Sequence, residues 1–148
     1  MKVVFMGTPE FALPPLEALL KEKEIEVTAV YTQPDKRVGR KKAWTPSPVK
    51  RLAEEWQIPV YTPKTARDPE VVEELRQLNP DLIVVCAYGQ ILPQELLDIP
   101  AMGCFNIHFS FLPRWRGASP VQAAIREGDK QTGVSIQKMV FKLDAGPI

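Results

Sequence analysis

The chain has 148 residues, of which 45% are hydrophobic and 25% charged, with a net charge of +1. That balance suits one soluble globular domain able to bury a core of its own, and it excludes a disordered chain. The longest charge-free apolar run, Leu82 on through Leu92, is far short of the ~20 residues a membrane helix needs, and the short run after Met1-Lys2 is too brief for a signal peptide, so the expected location is cytoplasmic.

Lys2 to Met6 reads as a short buried strand closed by Gly7. Thr8-Pro9 is a helix-start signal, but Pro14 and Pro15 predict an irregular first turn before a regular helix from about Pro15 to Lys23, with Leu16, Leu19 and Leu20 on its apolar face. Ile25 to Thr32 is a second strand. After it the charge changes character: Lys36 to Arg51 holds seven of the 19 basic residues and none of the 18 acidic ones. Such a run is either a solvated loop or, with Gly39 for flexibility and Trp44 as a stacking surface, a grip for a polyanion backbone.

Ser47-Pro48 starts a second helix with Val49, Leu52, Ala53 and Trp56 as its buried stripe, and Ile58 to Tyr61 follows as a short strand. Asp68-Pro69 starts a third helix, with Val72, Leu75 and Leu78 inward and Asn79-Pro80 as its stop. Leu82 to Ala87 is the most apolar strand, as expected of one covered on both faces. Alternating strands and helices predict an α/β fold with a mostly parallel open sheet, Rossmann-like in plan. Gly7 stands alone, so the G-x-G-x-x-G dinucleotide signature is absent. No repeat or linker divides the chain.

Tyr88 to Pro93 is a loop, with a helical turn near Gln94 to Leu97. Gly103 to Phe109 is then a strand, and within it Asn106 and His108, the only histidine, leave the same face at the strand's carboxyl end. Open α/β sheets place their ligand crevices at that edge. Ser119-Pro120-Val121-Gln122 has the form of a capping box, opening a helix with Val121, Ala124 and Ile125 toward the core. Gly133 to Phe141 reads as extended, with Val134, Ile136 and Val140 on one face, and delivers Asp144 into a loop with Gly146-Pro147. Cys86 and Cys104 sit in apolar segments at no metal-ligand spacing, and one histidine cannot build a zinc site.

Asn106-Ile-His108-Phe-Ser110-Phe-Leu112-Pro113, followed by Arg114-Trp-Arg-Gly117-Ala118, closely resembles the signature of the folate-dependent formyltransferases, and Asp144 in Leu143-Asp-Ala-Gly146 matches that superfamily's third catalytic residue. The likeness runs along the whole chain. Gly7-Thr-Pro-Glu-Phe-Ala12 and the basic stretch from Gln33 to Lys50 are similar to those members that formylate methionyl-tRNA, in which the basic loop engages the tRNA acceptor arm. Two residues depart from the pattern: Phe111 stands where leucine is usual, and Phe109 where small residues are, although strand alternation turns Phe109 away from the face of His108.

The resemblance implies transfer of a formyl group from 10-formyltetrahydrofolate, a co-substrate, to the α-amine of initiator methionyl-tRNA, without a metal. It implies Asn106, His108 and Asp144 as catalytic residues, and Tyr88, Gly89, Gln90, Ile91 and Leu92, with Ser110, Phe111, Leu112 and Pro113, as the folate pocket. Lys36, Arg37, Arg40, Lys41, Lys42 and Trp44 are the implied tRNA contacts, while Arg114 and Arg116 are open to either a tRNA contact or a loop cap. Family members are longer, so residues 1–148 are expected to be an incomplete catalytic domain lacking a C-terminal tRNA-binding barrel, and monomeric. The alternatives are a related formyltransferase or hydrolase with a small-molecule acceptor, and an inactive tRNA-binding fragment.

Overall fold

The computed structural model describes residues 1–148. Six strands form one sheet, and its centre is the pair whose sequences are apolar on both faces: β1 (Lys2–Gly7) and β6 (Leu82–Cys86). On one side of β1 lie β2 (Glu26–Tyr31) and β5 (Val60–Tyr61); beyond β6 lie β7 (Cys104–His108) and β8 (Ser135–Lys138). All neighbours are parallel except β7 and β8. The chain therefore builds outward from β1 in one direction and then returns to build in the other, which makes the carboxyl ends of β1 and β6 the switch point where such sheets open a crevice.

The helices cover both faces. Val3 and Phe5 of β1 pack with Leu16 of α1 (Leu13–Lys21) and with Val49 and Ala53 of α2 (Pro48–Glu55). Val4 and Met6 face the opposite layer, where Val72 and Leu75 of α3 (Pro69–Leu78) and Leu96 of α4 (Gln94–Leu97) are buried. Two of the expected helix starts are built as their residue types require. The Ser47 hydroxyl accepts from the Lys50 amide at 3.0 Å and the Asp68 carboxylate from the Glu70 amide at 2.9 Å, each followed by proline where no amide hydrogen is needed. Asn79 ends α3 in the left-handed conformation, φ 47°.

Other expectations are corrected. Thr8 caps nothing; a 3-10 turn at Glu10–Ala12 precedes α1, which starts at Leu13 because both prolines fit within its first turn. Trp56, just past α2, is exposed, as are Val121 and Ile125 of α5 (Pro120–Arg126), leaving Ala124 as that helix's buried residue. Ser119 makes no side-chain cap. The extended segment expected over Gly133–Phe141 is a strand only at β8, where Ser135 and Gln137 are buried and Ile136 is exposed; Val134 and Val140, outside it, are exposed too. The basic stretch is ordered as a hairpin of β3 (Lys36–Val38) and β4 (Ala43–Thr45). No helix is long and apolar enough to cross a membrane.

Cys86 and Cys104 are buried on different strands, and burial pushes their thiols up to about 11 and about 12, with the charge of Asp98 adding to the second. The native state thus keeps protons that the unfolded chain releases near 9.0, so stability holds below that pH and declines as pH rises toward 11. Neither thiol should react with iodoacetamide at about pH 8 in the native protein, and both should react in denaturant, as counted by intact mass; the urea midpoint should fall between about pH 9 and pH 11.

Candidate active site

The turn after β6 sets one wall of the site. Ala87 and Gly89 both adopt positive φ (50° and 87°), which reverses the chain over the switch point. The Thr8 hydroxyl, past the end of β1, donates to the Tyr88 carbonyl at 2.9 Å and accepts from the Gln33 amide at 3.3 Å. Gln33 in turn donates to the Gly89 carbonyl at 2.9 Å, and the Gln90 carboxamide bonds Gln33, Pro63 and the Ala66 amide. Loops following β1, β2 and β6 are thereby stitched into one rim. Gln90 spends its side chain on this rim, so it can offer only backbone to a ligand. The Tyr88 ring packs in the core, where burial pushes its phenol up to about 12 and its hydroxyl finds no partner.

The other wall is β7. Register pairs Asn106 with Val85 on one side and Gln137 on the other, and pairs His108 with Ser135. Both side chains line a cavity of about 840 Å³, together with Tyr88, Gly89, Gln90, Ile91, Leu92, Phe109 and Asp144. Phe109 meets Phe11 edge-on, ring centroids 5.2 Å apart, and with Ile107 faces the helix layer opposite the one behind Asn106 and His108. The residues Ser110, Phe111, Leu112 and Pro113 do not line the cavity. Ser110 and Leu112 are instead buried against the Ser135 hydroxyl, which donates to the Ser110 carbonyl at 2.7 Å and accepts from the Leu112 amide at 3.1 Å. Phe111 is half exposed with its ring on Gly133. A smaller depression of about 330 Å³, between α4 and Lys138, contains none of the expected site residues.

His108 is 6% exposed and touches two fixed groups. Its Nε2 lies 2.9 Å from the Trp115 carbonyl, which can only accept, so Nε2 carries a hydrogen. Its Nδ1 lies 3.9 Å from Asp144 Oδ1. The other Asp144 oxygen accepts from the Gly117 amide at 2.7 Å. In a neutral ring Nδ1 is then the nitrogen with a free lone pair, and it faces an almost fully buried carboxylate. Asn106 adds a carboxamide on the same face, a neutral donor for a developing oxyanion.

Several residues that build this geometry carry no local sequence signal. Gln137 donates to the Gly146 carbonyl at 2.7 Å and so holds the Asp144 loop. Arg116 bonds the Leu143 carbonyl rather than an acid, and Arg114 pairs with Asp129 at 2.7 Å, so both arginines hold loops in place. The hairpin cations Lys36, Arg37, Arg40, Lys41 and Lys42 are all exposed and make no ion pair; Arg37 stacks over Trp44, 4.8 Å to the ring centroid. Lys50, from the same basic stretch, is spent on Asp35 at 3.0 Å.

Known proteins share this chain's pattern. The formyl transferase family matches over residues 1–148. The chain is 54% identical over its whole length to a protein named methionyl-tRNA formyltransferase of Xylella fastidiosa (strain 9a5c), of which it covers 48%, and 57% identical over 146 residues to the one of Geotalea daltonii, of which it covers 46%. It thus spans about half the length of the curated relatives it matches. Among solved structures, phosphoribosylglycinamide formyltransferase from Bacillus halodurans superposes with a TM-score of 0.79 at 24% identity, covering 99% of this chain and 76% of that one, a likeness of fold. A formyltetrahydrofolate deformylase from Pseudomonas syringae pv. tomato gives a TM-score of 0.75 at 28% identity, covering 99% of this chain and 48% of that one.

Asp144→Ala leaves the Gly117 amide without its acceptor and should lower stability by about 1–3 kcal/mol, whereas Asp144→Asn keeps an acceptor and should stay within about 1 kcal/mol of wild type. Urea unfolding of the two variants checks this; equal losses would mean that the Gly117 bond contributes nothing.

Proposed function

The chain belongs to the formyl transferase family, and on that premise we propose that it carries the catalytic part of an enzyme transferring a formyl group from 10-formyltetrahydrofolate to the α-amine of methionyl-tRNA. The observation that carries the reading is the convergence of Asn106, His108 and Asp144 on one cavity at the switch point. At about 840 Å³ that cavity is in the range that encloses a cofactor-sized molecule. The acceptor is argued from two further facts. Relatives at 53–57% identity carry the name methionyl-tRNA formyltransferase. The unpaired cations of the β3–β4 hairpin rise from the carboxyl end of β2, on the sheet edge that also bears the cavity.

The folate supplies an activated formyl carbon, and the residues supply the rest. As the amine nitrogen bonds that carbon, negative charge grows on the formyl oxygen, toward which the Asn106 amide donates. His108 Nδ1 takes the proton lost by the amine. The resulting imidazolium is held from both ends, by the Trp115 carbonyl at Nε2 and by Asp144 at Nδ1. When the tetrahedral adduct collapses, the bond from the formyl carbon to the folate nitrogen breaks, and the same proton passes from Nδ1 to that nitrogen. His108 ends as it began. Gly89, Gln90 and Ile91 would meet the folate's ring system chiefly through backbone groups.

In the intact protein, Asn106→Ala should lower formyl transfer by about 10²–10³ and His108→Ala by about 10²–10⁴, with unfolding midpoints close to wild type. Transfer to small amines but not to methionyl-tRNA would sink the choice of acceptor. Replacing Arg40, Lys41 and Lys42 together by alanine should weaken tRNA binding and flatten its salt dependence by about 0.7–0.9 in log–log slope for each phosphate no longer neutralised. An unchanged slope would show that the hairpin touches no phosphate.

A further inference from the structure

We infer that Asp129 is a positioning residue for His108, acting through the Arg114–Gly117 turn to hold the imidazole in the tautomer that carries its hydrogen on Nε2. The inference rests on His108 being the proton-handling group.

Asp129 follows α5, where its amide bonds the Ala124 carbonyl at 2.9 Å and anchors it to the helix end. Its carboxylate, 15% exposed, accepts three N–H groups: Arg114 Nε at 2.9 Å, Arg114 Nη2 at 2.7 Å and Trp115 Nε1 at 2.6 Å. The Arg114 guanidinium lies over the Trp115 ring, 4.3 Å to the centroid. Carboxylate, cation and indole thus close on one another in a single unit. The bonds from Arg114 and then Trp115 hold the Asp129 carboxyl down to about 2, so it stays charged at any working pH.

What this unit fixes is an unfavourable turn. Trp115 has φ 60°, a left-handed conformation that bulky side chains avoid, so the surroundings must impose it. The turn aims the Trp115 carbonyl at His108 Nε2, while the Ser110 hydroxyl backs the preceding carbonyl at 2.6 Å. Two residues on, the Gly117 amide donates to Asp144. One short segment therefore holds both members of the His108–Asp144 pair. The other tautomer would set a lone pair of Nε2 against the Trp115 oxygen and leave no basic nitrogen toward Asp144. Release of Asp129 frees the turn, and with it the choice of tautomer.

His108 is the only histidine of residues 1–148, and comparison with His108→Gln assigns its ring ¹⁵N shifts in the uniformly labelled intact protein. With the ring neutral, wild type should give one pattern, Nε2 protonated and Nδ1 bare. Asp129→Asn should give shifts averaged between tautomers, and Trp115→Phe, which removes only the indole donor, should move them in the same direction. Glu127→Gln, which breaks the nearby Arg126–Glu127 pair, should leave the pattern unchanged. In formyl transfer, Asp129→Asn should lower kcat at least tenfold with little change in the KM for the folate.

A wild-type ring protonated on Nδ1, or a folded Asp129→Asn protein that keeps the single wild-type pattern, overturns the inference. If Asp129→Asn fails to fold, Trp115→Phe decides by the same measurement. Formyl transfer insensitive to His108→Ala would instead defeat the functional reading, and the tautomer measurement separates that failure from this one.

Discussion

The site depends on one close approach of backbone to backbone. β8 runs antiparallel to β7, from Ser135 opposite His108 to Lys138 opposite Phe105, and so leads the chain away from the histidine. Asp144 can return only if the residues after it lie flat against β8. They do so at Gly146, where a Cβ would overlap the Lys138 carbonyl oxygen, and the return is fastened by Gln137 to the Gly146 carbonyl at 2.7 Å and by the Lys138 amide to the Pro147 carbonyl at 2.9 Å. Any larger residue at position 146 would lift the loop and carry Asp144 away from Nδ1. Asp144 itself is left-handed, φ 49°, a conformation aspartate accepts more readily than most residues.

That placement has an electrostatic consequence. A carboxylate 7% exposed needs compensation for its lost hydration, and Asp144 has a single hydrogen bond, from Gly117. The remainder of its field falls on His108 Nδ1, at 3.9 Å. On β8, Ser135 and Gln137, rather than Ile136 between them, point inward, and both are used on the backbone that frames the pair.

The sequence made much of the scaffold legible because the relevant signals are local. Ser47 and Asp68 act within three residues, Asn79 ends its own helix, and the runs from Lys2 and Leu82 are apolar on both faces because both are covered. The pairing of Asn106 with His108 was visible for the same reason, as a period of two. Asp144 was legible only by resemblance, since nothing around it points back across the chain to His108. Asp129 and Gln33 were silent and Thr8 was read as a helix cap, because each acts on a residue far along the chain. Val121 and Ile125 teach the complementary lesson: helical spacing says that a face is apolar, not that anything covers it. The segment Ser110 to Pro113 follows the end of β7 and turns in under Ser135, an arrangement that no local signal announced.

The basic stretch shows why a local excess of charge need not be a disordered one. Its base is closed twice, by the Thr32 and Ser47 hydroxyls at 2.6 Å and by Lys50 with Asp35 at 3.0 Å. Between those clasps Arg37 and Trp44 pair across the hairpin, and the guanidinium over the indole offsets part of the repulsion among the neighbouring cations. One face of Trp44 is thereby occupied, so a stacked base would have only the other. Gln33, one residue beyond the Thr32 clasp, bonds Gly89 on the cavity rim. The base of the hairpin and the rim of the cavity therefore share one side chain.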